Sequence, residues 1–429
     1  MKRRTFFKDI LGGAAVSFAY VDSINAEIYN NIKSLNEKLL NAQSPDGVYW
    51  DTLKNHYLLE DDLILMNNGS IGPMPETVFN TLMQYFKVQA TNPDEEYNFL
   101  PLKIKDTKNK LAEFINAAPN EVAITRNTTE GMNFAAHGLS LRAGDEVLIT
   151  NVEHFSGIAP WQLREKTDGI KIQEVALPLV PESVEEVVDC FKQAITSRTK
   201  VFSISHPSYI NGLLLPLKEI SDLAHKKGIY VIADGAHAVG MLDLDVKELG
   251  IDVYTSSPYK WLGAPPGTGV FYIRREVQDS FMPMIVDRSK WAEYKDAGKF
   301  ELLGKRPTPL TAALDEAINF NIEIGKKRIE RRIKALAMHL KTQLKSIPGV
   351  KLHTSMDPYL SAGLTVFSIK DIDPQRIVDY LREKYNIVVR TIGDKGKGTY
   401  GVRVSTHIFV SERDVDTLIE GTRFLAKQG

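Results

Sequence analysis

Between residues 121 and 274 short β-branched runs alternate with helical stretches, and this alternation restricts the possible folds more than any other feature. The runs are EVAIT (121–125), DEVLIT (145–150), KIQEVAL (171–177), KVFSIS (200–205), IYVIAD (229–234), DVYTSS (252–257) and GVFYIR (269–274). Helical patterns such as TEGMNFAAHGL and LKEISDLAHKKG lie between several of them. Strands alternating with helices predict an α/β fold with a mostly parallel seven-stranded sheet flanked by helices. In such a sheet the loops at the carboxyl ends of the strands carry the site.

After residue 308 the pattern changes. A long helical segment, TPLTAALDEAINFNIEIGKKRIERRIKALAMHLKTQLKSI, leads into strands GLTVFSI (363–369), IVVRT (387–391) and GVRVST (401–406), with helices near 374–385 and 412–427. This reads as a smaller C-terminal α/β domain at 306–429, packed with an N-terminal helical segment at 27–60 and following a large domain at 61–305. Neither an internal repeat nor a low-complexity linker separates them.

Lys plus Arg (53) nearly balances Asp plus Glu (54) without long blocks of one sign, so no surface for nucleic acid is advertised. The single cysteine, Cys190, excludes a disulfide framework and any cysteine-rich metal site; no metal centre is expected. Its place in EEVVDCFKQAI makes it a structural thiol on an amphipathic helix. At the N-terminus, Arg3 and Arg4 precede Phe6, Phe7 and Lys8 and then a modest apolar run, too short to span a bilayer. This resembles a twin-arginine export signal over residues 1–26, with cleavage near Ala26, and implies a periplasmic protein with no stable membrane insertion. The alternative is a cytoplasmic protein with an amphipathic N-terminal helix.

The segment TSSPYKWLGAPPGTG (255–269) comes close to an ATP-binding loop. Such a loop needs Lys and Ser or Thr directly after its glycines, at a helix start. Here those positions are Val270 and Phe271, which open a strand. The chemical lysine is Lys260, ahead of the glycines. An amine desolvated among aromatic residues loses its proton readily enough to condense with a carbonyl. Asp234 and His237, in IADGAHAVG, follow the preceding strand. A carboxylate near such a lysine can keep a pyridine nitrogen protonated, as pyridoxal 5'-phosphate (PLP) requires.

Together, ADGAHAVG and DVYTSSPYKWLGAPPGTGVFYI resemble the core of the class V aminotransferases, within the fold-type I PLP enzymes. The resemblance is to the branch holding isopenicillin N epimerase, cysteine desulfurase and selenocysteine lyase, and it covers most of residues 60–427. It implies that Lys260 forms the Schiff base and moves the proton at the substrate Cα, that Asp234 pairs with the pyridinium nitrogen, and that His237 sits near the ring's O3′ oxygen. His154, in NVEHFSGIAPWQ, becomes the residue stacked on the ring. Thr128 and Thr129, in TRNTTEGMN, supply phosphate donors at a helix start, with Ser257 and Tyr259 as further ligands. Thr268 resembles the residue that reaches the neighbouring subunit's cofactor phosphate, which implies a homodimer with shared sites. Arg403 matches the arginine that clamps a substrate α-carboxylate, with Arg390 a second candidate. NNGSIGPMP (67–75) resembles the loop lining the substrate cavity, where Gly69 and Gly72 permit close backbone approach.

Two departures matter. The loop TIGDKGKGTYG, which carries a thiol in desulfurases, has no cysteine, so persulfide formation is disfavoured. Tyr209, in SHPSYING, stands where relatives often have asparagine. The expected activity is aminotransferase-type chemistry on the amino group of an amino acid or peptide-like compound. Amino-acid epimerisation and C–S β-elimination are the alternatives, and a non-catalytic PLP-binding protein is an alternative of another class.

Overall fold

Each of the seven runs forms a strand within a residue or two of its expected ends. The computed structural model describes residues 22–38, 46–287, 291–397 and 400–428. Arg3, Arg4 and the rest of the export-signal region up to residue 21 lie outside the described residues. The chain opens with helices α1 (22–38) and α2 (Asp46–Lys54), the short strand β1 (Ile64–Leu65), and helices α3 (Glu76–Thr91) and α4 (Phe99–Phe114). Next come β2 (Val122–Thr125), α5 (Thr128–Gly138), β3 (Glu146–Thr150), α6 (Phe155–Asp168), β4 (Lys171–Val175), α7 (Val184–Ala194), β5 (Thr199–Ser205), α8 (Leu217–His225), β6 (Tyr230–Asp234), β7 (Val253–Ser256) and β8 (Gly269–Ile273).

These strands form one sheet in the order β2-β8-β7-β6-β5-β3-β4. The two-residue period of a strand sorts its side chains to opposite faces. Val147, Val201, Ile232, Val253 and Phe271 enter one core with Met132, Phe134 and Trp161 of α5 and α6. Leu148, Phe202, Val231, Tyr254 and Val270 enter the other, larger core. Burial on both faces explains why the interior strands are mostly apolar, whereas the edge strand β4, with Lys171, Gln173 and Glu174, is only partly buried. Only β8 runs antiparallel to its neighbours. The chain between β7 and β8 contains no crossover helix, so it turns back beside the strand it has just left.

The C-terminal part comprises α9 (Thr308–Ile324), α10 (Lys326–Lys345), β9 (Val350–Leu352), β10 (Leu364–Ile369), α11 (Pro374–Tyr385), β11 (Ile387–Val388), β12 (Arg390–Ile392), β13 (Gly401–Ser405) and α12 (Glu412–Ala426). Its sheet is antiparallel, in the order β12-β13-β10-β9. Two sequence expectations are corrected. The long helical segment is two helices, broken at Gly325, whose φ of 96° suits a residue without Cβ. The IVVRT run is also divided: β11 pairs in parallel with β1, and β12 pairs with β13.

Helix α1 is held by Asn25 Nδ2, which donates to Thr81 Oγ1 at 3.0 Å, and by Tyr29, whose hydroxyl donates to Glu316 at 2.7 Å. It runs through the expected signal boundary at residue 26. Lys54 pairs with Asp414 at 3.0 Å, which joins α2 to α12. Among the described residues no helix is long and apolar enough to cross a membrane.

Candidate active site

The carboxyl ends of β5, β6 and β7 open into a cavity of about 230 Å³. Asp234, the last residue of β6, forms its floor and is buried. One of its oxygens accepts from the Ala236 backbone N–H at 3.1 Å. The other lies so near α6 that a Cβ on Gly157 would sit 3.1 Å from it. Burial raises the Asp234 pKa, opposed by Lys260 and by the Ala236 N–H. A second buried carboxylate, Glu153, accepts hydrogen bonds from the hydroxyls of Thr150 and Ser205, each at 2.5 Å. Ser205 is in register with Asp234 on the neighbouring strand and lines the cavity. Burial is the main force pushing Glu153 up to about 7, and the Asp234 charge adds to it against the two hydroxyls.

Lys260 projects from the turn after β7. The segment before α3 grips this turn from outside. Gly72 N–H donates to Tyr259 O at 3.0 Å, and Asn68 Nδ2 donates to Lys260 O at 3.2 Å. A Cβ on Gly72 would fall 2.4 Å from that same Lys260 oxygen, so the contact needs glycine. Burial lowers the lysine pKa to about 8; Asp234 opposes the shift, while Arg403 and Arg390 reinforce it. A substantial neutral-amine fraction is therefore present near pH 8, as a nucleophile requires.

At one end of the cavity α5 begins. Asn127 caps it by accepting from Glu130 N–H at 2.9 Å, which leaves the Thr128 and Thr129 end facing the cavity. Ser257 Oγ accepts from Thr128 N–H at 3.0 Å and lies 2.8 Å from Thr128 Oγ1. Hydroxyls and N–H groups at a helix start form an anion site. Tyr259 completes this part of the lining.

His154 and His237 are both held neutral. His154 caps α6: its Nδ1 accepts from Ser156 N–H at 3.2 Å, and burial, then Lys260, brings its pKa down to about 4. His237 Nδ1 accepts from Trp261 Nε1 at 3.2 Å, and burial depresses it strongly. Tyr209 stands edge-on to the His154 ring, with centroids 4.5 Å apart at 74°.

The last wall comes from the C-terminal sheet. Arg390 and Arg403 face each other across β12 and β13, so both side chains leave the same face. Arg403 is buried, and its Nη2 donates to Asn67 Oδ1 and Ser70 Oγ, each at 3.2 Å. Arg390 Nη1 donates to the same Ser70 oxygen at 3.1 Å. The Arg403 Nε has no partner, and among the described residues neither guanidinium has a carboxylate within 4 Å. Burial and the Arg390 charge bring Arg403 down to about 9, so it is charged at neutral pH. Like charges placed opposite each other cost stability, and here both line the cavity, where they suit an anion. Gly69 permits the approach: a Cβ there would lie 3.1 Å from Arg403 Nη2.

The cavity thus brings together Gly69, Thr128, Thr129, His154, Asp234, His237, Ser257, Tyr259, Lys260, Arg390 and Arg403 from the sequence reading. Thr268 is not among its lining residues. It is fully buried, and its hydroxyl donates to Pro265 O at 2.7 Å within its own turn. Sequence reasoning missed Glu153, Ser205, Asn67 and Ser70. Glu153 adjoins His154 in a quoted motif, and an acidic residue three positions past an apolar strand was a usable signal. Ser205 gave none, because its role depends on strand register. Cys190 lies on α7, outside the cavity lining, with its thiol pushed up by burial and by Glu186 and Asp189.

The donor set fits PLP: an anion corner for a phosphate, a dry carboxylate for a pyridine nitrogen, and a desolvated amine for an aldehyde. Comparison with known proteins agrees. The profile of the family Aminotransferase class-V matches residues 65–418. Isopenicillin N epimerase of Streptomyces clavuligerus is 27% identical over 387 residues, covering 86% of this chain and 97% of that protein. A probable cysteine desulfurase of Methanothermobacter thermautotrophicus is 28% identical over 397 residues, covering 86% and 96%. The cystine C–S lyase C-DES, solved with cysteine persulfide, superposes with a TM-score of 0.77 at 25% identity, covering 84% and 97%. A C-DES variant solved with glycine covalently linked to its PLP gives 0.78 at 24% identity, covering 88% and 98%. The fold is that of fold-type I PLP enzymes, and the chain belongs to the class V aminotransferase family, whose members depend on PLP.

Proposed function

We propose that this protein is a PLP-dependent enzyme acting on the amino group of an amino acid or peptide-like compound, with aminotransferase-type chemistry as the working activity. One observation carries the reading: a desolvated amine, a buried carboxylate and two guanidinium groups that have no carboxylate partner among the described residues line one cavity. Thr128, Thr129, Ser257 and Tyr259 would hold the phosphate, Asp234 the pyridine nitrogen, and neutral His154 and His237 the ring. When bound, PLP supplies the electron sink that lets the Cα–H bond of an amino acid ionise. Arg403 binds the substrate carboxylate with a fork of N–H donors, and Arg390 adds a second cation. Ser70 and Asn67 fix the orientation of Arg403, and Lys260 Nζ takes and returns the proton at Cα.

Epimerisation is the second reading, favoured by similarity to isopenicillin N epimerase along most of both chains. The loop between β12 and β13 has no cysteine, which disfavours persulfide formation. A non-catalytic PLP binder has no use for the arginine pair. Thr268 remains a proposed contributor across a homodimer interface, which requires its turn to rearrange on pairing. Export through the twin-arginine route is proposed from Arg3 and Arg4; an intact N-terminus on cytoplasmic protein would end that reading.

Borohydride reduction of the PLP-loaded protein, followed by peptide mass spectrometry, tests the core assignment. The expected adduct is on Lys260 and is absent from Lys260→Ala; an adduct elsewhere overturns it. Product analysis of wild type with amino donors, with and without a keto acid, then separates transfer from inversion and elimination.

A further inference from the structure

Tyr209 is a titratable cavity residue to which the proposed chemistry gives no task. It is half-buried, its ring rests against His154, and its hydroxyl makes no hydrogen bond among the described residues. Strand order gives its position a meaning. Asp234 ends β6, Lys260 follows β7 on one side of β6, and Tyr209 follows β5 on the other side. Neighbouring strands are about 4.8 Å apart, so the amine and the phenol approach the cavity from opposite flanks of the buried carboxylate. Arg390 and Arg403 line the same cavity as Tyr209, so the phenol and the carboxylate clamp share one space.

We propose that Tyr209 is a second acid–base group, delivering a proton to the substrate Cα from the flank opposite Lys260, which equips the site for the second reading above, inversion of configuration at that carbon. The proposal rests on the PLP-enzyme reading above. In the step, Lys260 Nζ takes the Cα proton and the C–H electron pair stays with the substrate. The Tyr209 O–H bond breaks, its proton forms the new C–H bond, and the electron pair remains on oxygen. Proton exchange with water restores the amine and the phenol, so no oxidant or co-reactant is consumed. Burial raises the phenol above its ordinary value, so it holds its proton at neutral pH. The two arginines pull the other way, favouring the phenolate formed in the transfer.

Tyr209→Phe keeps the ring against His154 and removes only the hydroxyl. PLP-loaded wild type and variant are incubated in D2O with L-alanine, L-glutamate and γ-L-glutamylglycine. Chiral chromatography and NMR follow inversion and Cα–H exchange. The expected result is inversion by wild type, slowed about 100-fold or more in the variant, while exchange with retained configuration continues through Lys260. Fluorescence titration of the apoprotein gives an independent readout, with PLP affinity expected to stay within about twofold. The tyrosine proposal is overturned by inversion at near wild-type rate in the variant, by wild-type exchange with retention only, by loss of exchange together with inversion, or by a tenfold loss of PLP affinity. Absence of any exchange in wild type overturns the underlying reading of Lys260 instead.

Discussion

At the residue scale the site is governed by charges kept out of water. Lys260 titrates near 8 partly because Arg403 and Arg390 stand near it. Replacing Arg403 by Met removes a cation, raises the lysine pKa, and moves the rate of PLP capture by apoprotein to higher pH. The same change removes a charge-assisted hydrogen bond of about 1.5–3 kcal/mol, expected as a roughly 10- to 100-fold rise in KM. An unshifted capture profile sinks the coupling. Glu153 behaves in the opposite sense. Its folded pKa, about 7, lies above the ordinary carboxylate value, so the folded state binds the extra proton. The Glu153 contribution to the stability of the apoprotein is fullest below pH 4.5 and falls by about 3 kcal/mol as pH rises through 7. Glu153→Gln should flatten that fall, seen as a smaller drop in Tm between pH 5 and 8 than in wild type; parallel curves would refute it. Lys260 and Asp234 were legible in the sequence because chemistry restricts which residues can do their work. Ser205 and Ser70 were not, since any serine looks alike until strand register or a neighbouring guanidinium gives it a partner.

At the element scale, the loop preceding α3 acts as a brace on the lysine turn through Gly72 and Asn68. Gly72→Ala puts a methyl group against the Lys260 carbonyl. Overpacking of this kind costs about 1–3 kcal/mol. PLP affinity should fall by about tenfold or more, and unchanged affinity by titration would show that the brace does not matter. Sequence periodicity located all seven strands of the large sheet because each is a short run rich in β-branched residues set between turns and helical patterns. It failed at Gly325 and Val389 for separate reasons. A glycine inside a helical pattern does not disclose its φ, and a run of β-branched residues does not disclose that it changes partner midway.

At the scale of the whole molecule, α3 exposes Phe79, Met83 and Phe86 at helical spacing, 38%, 51% and 38% accessible. In a homodimer this stripe is a natural contact surface. Light scattering on the wild type should give twice the 48.1 kDa chain mass, and Met83→Glu should shift the population to monomer. A monomeric wild type would remove the dimer from the proposal. The one reversed strand has a further consequence. Because β8 returns beside β7, the lysine turn is anchored at both ends by a single antiparallel pairing in the sheet interior. Opening of that pairing releases both ends of the turn together. Hydrogen-exchange protection of the β7 and β8 amides therefore reports how often the turn loses both anchors at once, linking the placing of the amine to sub-global unfolding of the sheet.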